Sequence, residues 1–198
     1  LKIKEITMEK VLLTDVDGVL LDWEVSFTSW MKQQGYTKKP GTEDQYSVGK
    51  IYGVSQDEGT NFIARFNSSS DFGGLVPWKD SVEYMLRFKA EGWKIITITT
   101  AGEHPWTYGL RKDNFEKVFG PGVIDELYVL PLHGDKGVQL QNYQDTGYYW
   151  IEDKPSNAEL GYKYGLNPLL MNNQHNRSYH GPVPRIDNWA QAYKIITG

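Results

Sequence analysis

Five short runs of apolar, β-branched or aromatic residues punctuate the chain, at 11–14, 94–99, 126–130, 148–151 and 168–171, each ending at a polar or turn residue. Runs of this length read as strands buried on both faces. Between several of them the apolar positions change to helical spacing. Asp80 and Glu83 have the spacing of a capping box, followed by Val82, Met85, Leu86 and Lys89 along one side until Gly92 stops the helix. Ser156 and Glu159 repeat that signal ahead of a short helix closed by Gly165. Residues 106–118, with Phe115 and Phe119 one turn apart, and 188–196 are further helices. Strand alternating with helix predicts an α/β fold with a parallel sheet covered on both faces.

Residues 22–78 break this rhythm. No strong strand falls there, and the apolar spacing predicts helices over 23–34, 43–52 and 56–66, joined by turns such as Lys39-Pro40-Gly41 and residues 67–74. The simplest organisation is one α/β core, residues 1–21 and 79–198, carrying a helical cap at 22–78. The sequence contains no internal repeat and no low-complexity tract.

Composition narrows the function classes. The chain has 198 residues, enough for one domain with a sizeable core, and its 7 Trp, 13 Tyr and 7 Phe argue against disorder. With 21 basic and 25 acidic residues and no long basic run, an extended nucleic-acid surface is not expected. The absence of Cys excludes disulfides, thiolate zinc sites, iron–sulfur clusters and Cys nucleophiles. No run approaches the length of a membrane span, and the opening Leu-Lys-Ile-Lys-Glu-Ile lacks a secretory apolar core. These features point to a soluble, cytoplasmic protein. The histidines at 104, 133, 175 and 180 have no zinc spacing and read as surface or loop residues, and no dinucleotide or Walker-type glycine run occurs.

In open α/β sheets the binding crevice lies beyond the carboxyl ends of the strands. The first run ends Thr14-Asp15-Val16-Asp17-Gly18, the second Thr99-Thr100 and the fourth Glu152-Asp153, and Lys136 follows the third. Carboxylates gathered on one point repel each other unless a hard cation stands among them, and Mg²⁺ takes oxygen ligands. Such a cation also suits a phosphate oxygen, while a Thr hydroxyl and Lys136 can hold the others. Asp15 could then attack phosphorus and form an aspartyl-phosphate, with Asp17 as general acid and base. Asp17 reaches the same crevice only if the chain turns after the strand, which Gly18 permits.

The segment Asp15-Val16-Asp17-Gly18-Val19-Leu20 resembles the first motif of the haloacid dehalogenase (HAD) superfamily, and Thr99, Lys136 and Glu152-Asp153 follow in that superfamily's order. The resemblance spans about residues 10–172 and implies a Rossmann-like three-layer core with a cap after the first strand. Within the superfamily the chain looks like the 5′(3′)-deoxyribonucleotidases, through Asp22-Trp23-Glu24, Thr99-Thr100, Gly134-Asp135-Lys136 and residues 151–155. Two positions depart from that pattern: Glu152 stands for a more usual Asp, and Thr100-Ala101 for a Ser-Pro pair.

The resemblance implies a Mg²⁺-dependent phosphomonoesterase acting on nucleoside monophosphates. Its nucleophile would be Asp15 and its acid/base Asp17, with Thr99, Thr100 and Lys136 on phosphate and Lys154 as the rival lysine. Asp15, Asp153 and the backbone carbonyl of Asp17 would hold the metal, and Asn157 is an added candidate for its shell. Trp23 and Phe72 would face the substrate, since a flat aromatic wall suits a nucleobase. Phe27 and Trp30, at helical spacing from Trp23, read as core. The expected partner is a small nucleotide, with a homodimer left open. A sugar phosphate is the alternative substrate class. A phospho-accepting receiver or a nucleotide-binding module without turnover fits the motif order less well.

Overall fold

In a computed structural model, which describes residues 9–198, six strands form one sheet: β1 (Val11–Thr14), β2 (Lys94–Thr100), β3 (Glu126–Leu130), β4 (Tyr149–Glu152), β5 (Asn167–Met171) and β6 (Arg185–Ile186). All pairings are parallel, in the spatial order β3-β2-β1-β4-β5-β6. The helices are α1 (Trp23–Gln33), α2 (Val48–Tyr52), α3 (Gln56–Asn67), α4 (Ser81–Ala90), α5 (Pro105–Phe119), α6 (Gly137–Leu140), α7 (Pro155–Lys163) and α8 (Trp189–Thr197). The fold is therefore the expected α/β class. The opening residues read above for a secretory core lie outside the described residues. No described helix is long and apolar enough to cross a membrane.

Alternation along each strand sorts the core into two faces. Leu12, Ile95, Ile151 and Leu169 join one buried cluster, while Leu13, Ile96, Ile98 and Trp150 join the other. The first cluster continues into the segment after β1 with Phe27, Trp30, Met31, Phe62 and Phe66, where Phe27 meets Phe66 and Trp30 meets Phe62 edge to face while Phe27 and Trp30 stack. That segment consists of α1, α2, α3 and a 3₁₀ turn at Ser70–Gly74, and α3 starts at a full capping box between Ser55 and Glu58. The backbone leaves and rejoins the core through adjacent stretches: Asp22 N–H donates to Val76 O at 2.8 Å and Trp78 N–H to Leu20 O at 2.9 Å.

Several local expectations are corrected. Asp80 does not cap its own helix; its two carboxylate oxygens accept from Trp189 and Ala190 N–H at 2.9 Å each, so it caps α8 from a distance of over a hundred residues. Ser156 does not cap α7, which begins with Pro155 behind Lys154, while Glu159 accepts from the Tyr179 hydroxyl. The buried side of α4 is Ser81, Met85 and Phe88, and Leu86 faces outward. Residues 43–47 stay irregular, so α2 is half the expected length. The two-residue β6 was too short to leave a periodic signal.

Candidate active site

The sheet order reverses between β1 and β4, and a crevice opens beyond the carboxyl ends of such strands. β1 hands the chain to Asp15, whose N–H still pairs with Ile151 O of β4 at 2.8 Å. The chain then turns: Val16 O accepts from Leu20 and Leu21 N–H at 2.8 and 2.9 Å, and Gly18 takes φ +75°. This is the turn that brings Asp17 to the crevice. Gly18 is needed for a second reason, since a Cβ there would stand 2.3 Å from Asp153 Oδ2.

The fourth strand supplies Glu152 and Asp153. Carboxylate oxygens of Asp15, Glu152 and Asp153 lie within 4.8 Å of one another, and all three residues are buried. Lys136, 2% exposed, is the counter-charge: its Nζ stands 2.7 Å from Asp15 Oδ1 and 3.1 Å from Glu152 Oε1. Glu152 is fully buried and also accepts from Asn157 Nδ2 at 2.7 Å and Asp153 N–H at 2.8 Å. Asn157 thus orients Glu152. Burial, then the Glu152 charge, pushes the Asp15 carboxyl well above the ordinary range against the pull of Lys136. Asp153 moves the same way, through burial and then Glu152 and Asp15. Burial works against the Lys136 ammonium, but the two carboxylates outweigh it and hold its pKa above that of a free lysine. Three buried oxygen donors with one cation among them fit a hard divalent ion, which would relieve the remaining repulsion.

Asp17 stands apart from that cluster. Its carboxylate accepts from Arg111 Nη2 at 2.7 and 2.8 Å and from the Thr99 hydroxyl at 3.3 Å. Thr99, Thr100, Asp15, Asp17, Lys136 and Trp23 all line one cavity of about 250 Å³. Trp23 stacks on Phe27 at 4.3 Å and donates its indole N–H to Asn67 Oδ1 at 2.9 Å, which fixes the ring at the wall. Phe72 is different: it has no exposed surface, lies beneath Arg111 and meets Phe66 edge to face, so the expectation of substrate contact is corrected to a core role.

Sequence reasoning missed several neighbours. Arg111 shares a helix face with Phe115 and Phe119, and a charge on an apolar stripe is the signal that could have found it. The run after Met171, left undecided by the sequence, both forms the β6 edge and buttresses the site: Asn173 Nδ2 donates to Asp153 Oδ2 and Gly18 O at 3.1 and 3.0 Å, and Asn176 Nδ2 donates to Asp153 O at 2.7 Å. His175, read as a surface residue, has Nε2 3.2 Å from Asp153 O. Tyr46 reaches in from the segment before α2; its ring meets His175 at 5.1 Å and lies under the Lys154 ammonium at 5.2 Å. Tyr46 is 59% exposed but lines the cavity beside the acidic cluster, and desolvation there, then the negative charge of Asp153 and Glu152, pushes its hydroxyl up.

Comparison with solved structures places this architecture. A "predicted phosphatase" from Clostridium acetobutylicum aligns with a TM-score of 0.67 at 14% identity, over 96% of this chain and 99% of that one. L-2-haloacid dehalogenase from Xanthobacter autotrophicus, solved with chloropropionic acid covalently bound, aligns at 0.60 and 10% over the same shares. The fold is that of the haloacid dehalogenase hydrolases. YfnB of Bacillus subtilis, named as a "HAD-hydrolase" and solved bound to magnesium, shares the HAD fold at TM-score 0.61 and 12% identity, over 96% of this chain and 99% of that one. At such identities the likeness is one of fold. No protein-family model matches the chain. In sequence it is 26% identical over 125 residues to an uncharacterized 32.4 kDa protein in the Gp30-rIII intergenic region of Enterobacteria phage T4, a match that covers 61% of this chain and 44% of that protein.

Proposed function

We propose that the protein is a Mg²⁺-dependent phosphomonoesterase that works through an aspartyl-phosphate on Asp15. The observation that carries this reading is the Asp15 carboxylate, 2.7 Å from a buried lysine and clustered with Glu152 and Asp153 at the sheet's switch point. The residues suited to hold the ion are Asp15 and Asp153, with the Asp17 backbone carbonyl. When bound, a divalent cation supplies charge stabilisation at a phosphoryl oxygen and lowers the repulsion between the phosphate and the nucleophile.

Asp15 attacks phosphorus as the bond to the leaving oxygen breaks, and Asp17 gives that oxygen a proton. Water then attacks the phosphorus and passes a proton to Asp17 while the bond to Asp15 breaks. Lys136 and the hydroxyls of Thr99 and Thr100 hold the non-bridging oxygens, where negative charge accumulates. A cap over the cavity would keep bulk water away during attack.

The preferred substrate is a nucleoside monophosphate. The aromatic wall of Trp23, braced by Phe27 and Asn67, supports it, because a base can stack there. The resemblance to deoxyribonucleotidases favours the deoxy forms. A cavity of about 250 Å³ favours instead a smaller ester such as a sugar phosphate, being just below the usual span of ligand pockets, roughly 300–1,000 Å³. Phosphate release from a panel of nucleotides and sugar phosphates, with and without Mg²⁺, tests both readings. Release from nucleotides that depends on Mg²⁺ is expected; no release from any substrate refutes the phosphatase reading, and release from sugar phosphates alone refutes the nucleotide one.

A further inference from the structure

We infer that Arg111 is a positioning residue that sets where the Asp17 carboxylate stands during turnover, an inference that rests on the phosphatase reading. Arg111 has no exposed surface, and among the described residues its hydrogen bonds run through Nη2 alone, shared between the two Asp17 oxygens at 2.7 and 2.8 Å. Nε and Nη1 are buried without a partner among the described residues. The Phe72 ring centroid lies 4.1 Å from the guanidinium carbon, so the planar group is stacked against the core.

Packing alone does not account for this arrangement. Burying a guanidinium is repaid only when its donors are satisfied, and apolar side chains of similar volume often serve stability as well or better. Here two nitrogens go unsatisfied so that the third can grip one carboxylate. That carboxylate sits on a glycine-containing turn, partly open to the cavity, and its other partner among the described residues is the Thr99 hydroxyl at the longer distance of 3.3 Å. The backbone turn is held by its own hydrogen bonds, and α5 with Phe72 anchors the guanidinium that fixes the Asp17 side chain. Preorganising an acid/base is worth a large factor in rate, because proton transfer requires hydrogen-bond reach in the transition state.

The two half-reactions separate this role from a structural one. When the leaving group is p-nitrophenolate, the first bond breaks without help from the Asp17 proton. The second step always needs Asp17, because the attacking water must lose a proton to it as the bond between phosphorus and Asp15 breaks.

Arg111→Gln is thus expected to keep a pre-steady-state burst of p-nitrophenol at near the wild-type rate, followed by steady turnover about 10²-fold slower. KM should change little, and Arg111→Lys, which keeps the charge but loses the planar fork, should recover part of the loss. If Arg111→Gln fails to fold, Arg111→Lys carries the same test, with the burst retained and steady turnover reduced. Unchanged steady turnover, or a burst that shrinks in proportion to turnover, overturns the role of Arg111. Wild-type protein that releases phosphate from no substrate refutes the phosphatase reading and this inference with it, an outcome distinct from an active wild type beside an unaffected variant.

Discussion

Replacing Lys136 by Met removes the cation between two buried carboxylates. In the wild type the ammonium lies 2.7 Å from Asp15 and 3.1 Å from Glu152, and each of the three residues is less than a tenth exposed. Breaking a buried pair by removing one partner costs about 3–5 kcal/mol, because the other charge stays behind unpaired. For a domain of this size each kcal/mol moves Tm by roughly 2–4 °C, so a fall of roughly 6–20 °C is expected. The loss should depend on pH. Asp15 already sits well above the ordinary carboxyl range through burial and the Glu152 charge, whereas Glu152, against its own burial, is held below that range chiefly by Lys136; removing Lys136 raises Asp15 further and releases Glu152 upward. The folded variant then holds protons that the unfolded chain has released, so its stability is highest below the unfolded carboxyl pKa, about 4, and falls as pH rises through the folded values. The wild-type contribution of Lys136 is fully present at pH 8, because its folded pKa lies above that of a free lysine. Thermal melts followed by circular dichroism at pH 5 and pH 8 should show a larger deficit at pH 8. A variant as stable as wild type at pH 8, or a deficit equal at both pH values, refutes the reasoning.

Asp15→Asn should abolish phosphate release while leaving Tm at pH 8 unchanged or higher, since a buried carboxyl with a raised pKa is removed; turnover near the wild-type rate would dismiss Asp15 as nucleophile. Added Mg²⁺ should raise Tm more at pH 8 than at pH 5, because Asp15 and Asp153 must lose their protons before they can bind it. An equal or absent shift in melts at the two pH values counts against an ion at that cluster. Trp23→Ala should reduce kcat/KM for nucleotides by about tenfold or more, the worth of one base stacked on an aromatic ring, while p-nitrophenyl phosphate is little affected. Equal losses on both substrates would remove Trp23 from the base site.

Much of this was legible in the chain because it depends on local pattern. The buried strands are short apolar runs, the tips of β1, β2 and β4 carry the acidic and hydroxyl residues, and the turn after Asp17 is marked by a glycine that must take φ +75°. The capping signals misled for a physical reason: an aspartate can serve any nearby N–H, and tertiary packing presents the Trp189 and Ala190 N–H groups of α8 to Asp80. Phe72 and Trp23 are both aromatic residues within the insertion, and their sequence contexts do not separate a ring inside the core from one at a cavity wall.

The amino-acid order by itself determined the α/β class, the inserted helical segment and the set of carboxylates with Lys136, since strand periodicity and residue chemistry are properties of neighbours along the chain. Only the tertiary structure decided that Arg111 grips Asp17 and that Asn173, His175 and Asn176 brace Asp153, because those contacts join residues 20 to 94 positions apart. No local pattern encodes a meeting at such range; the crossing of the parallel sheet brings it about.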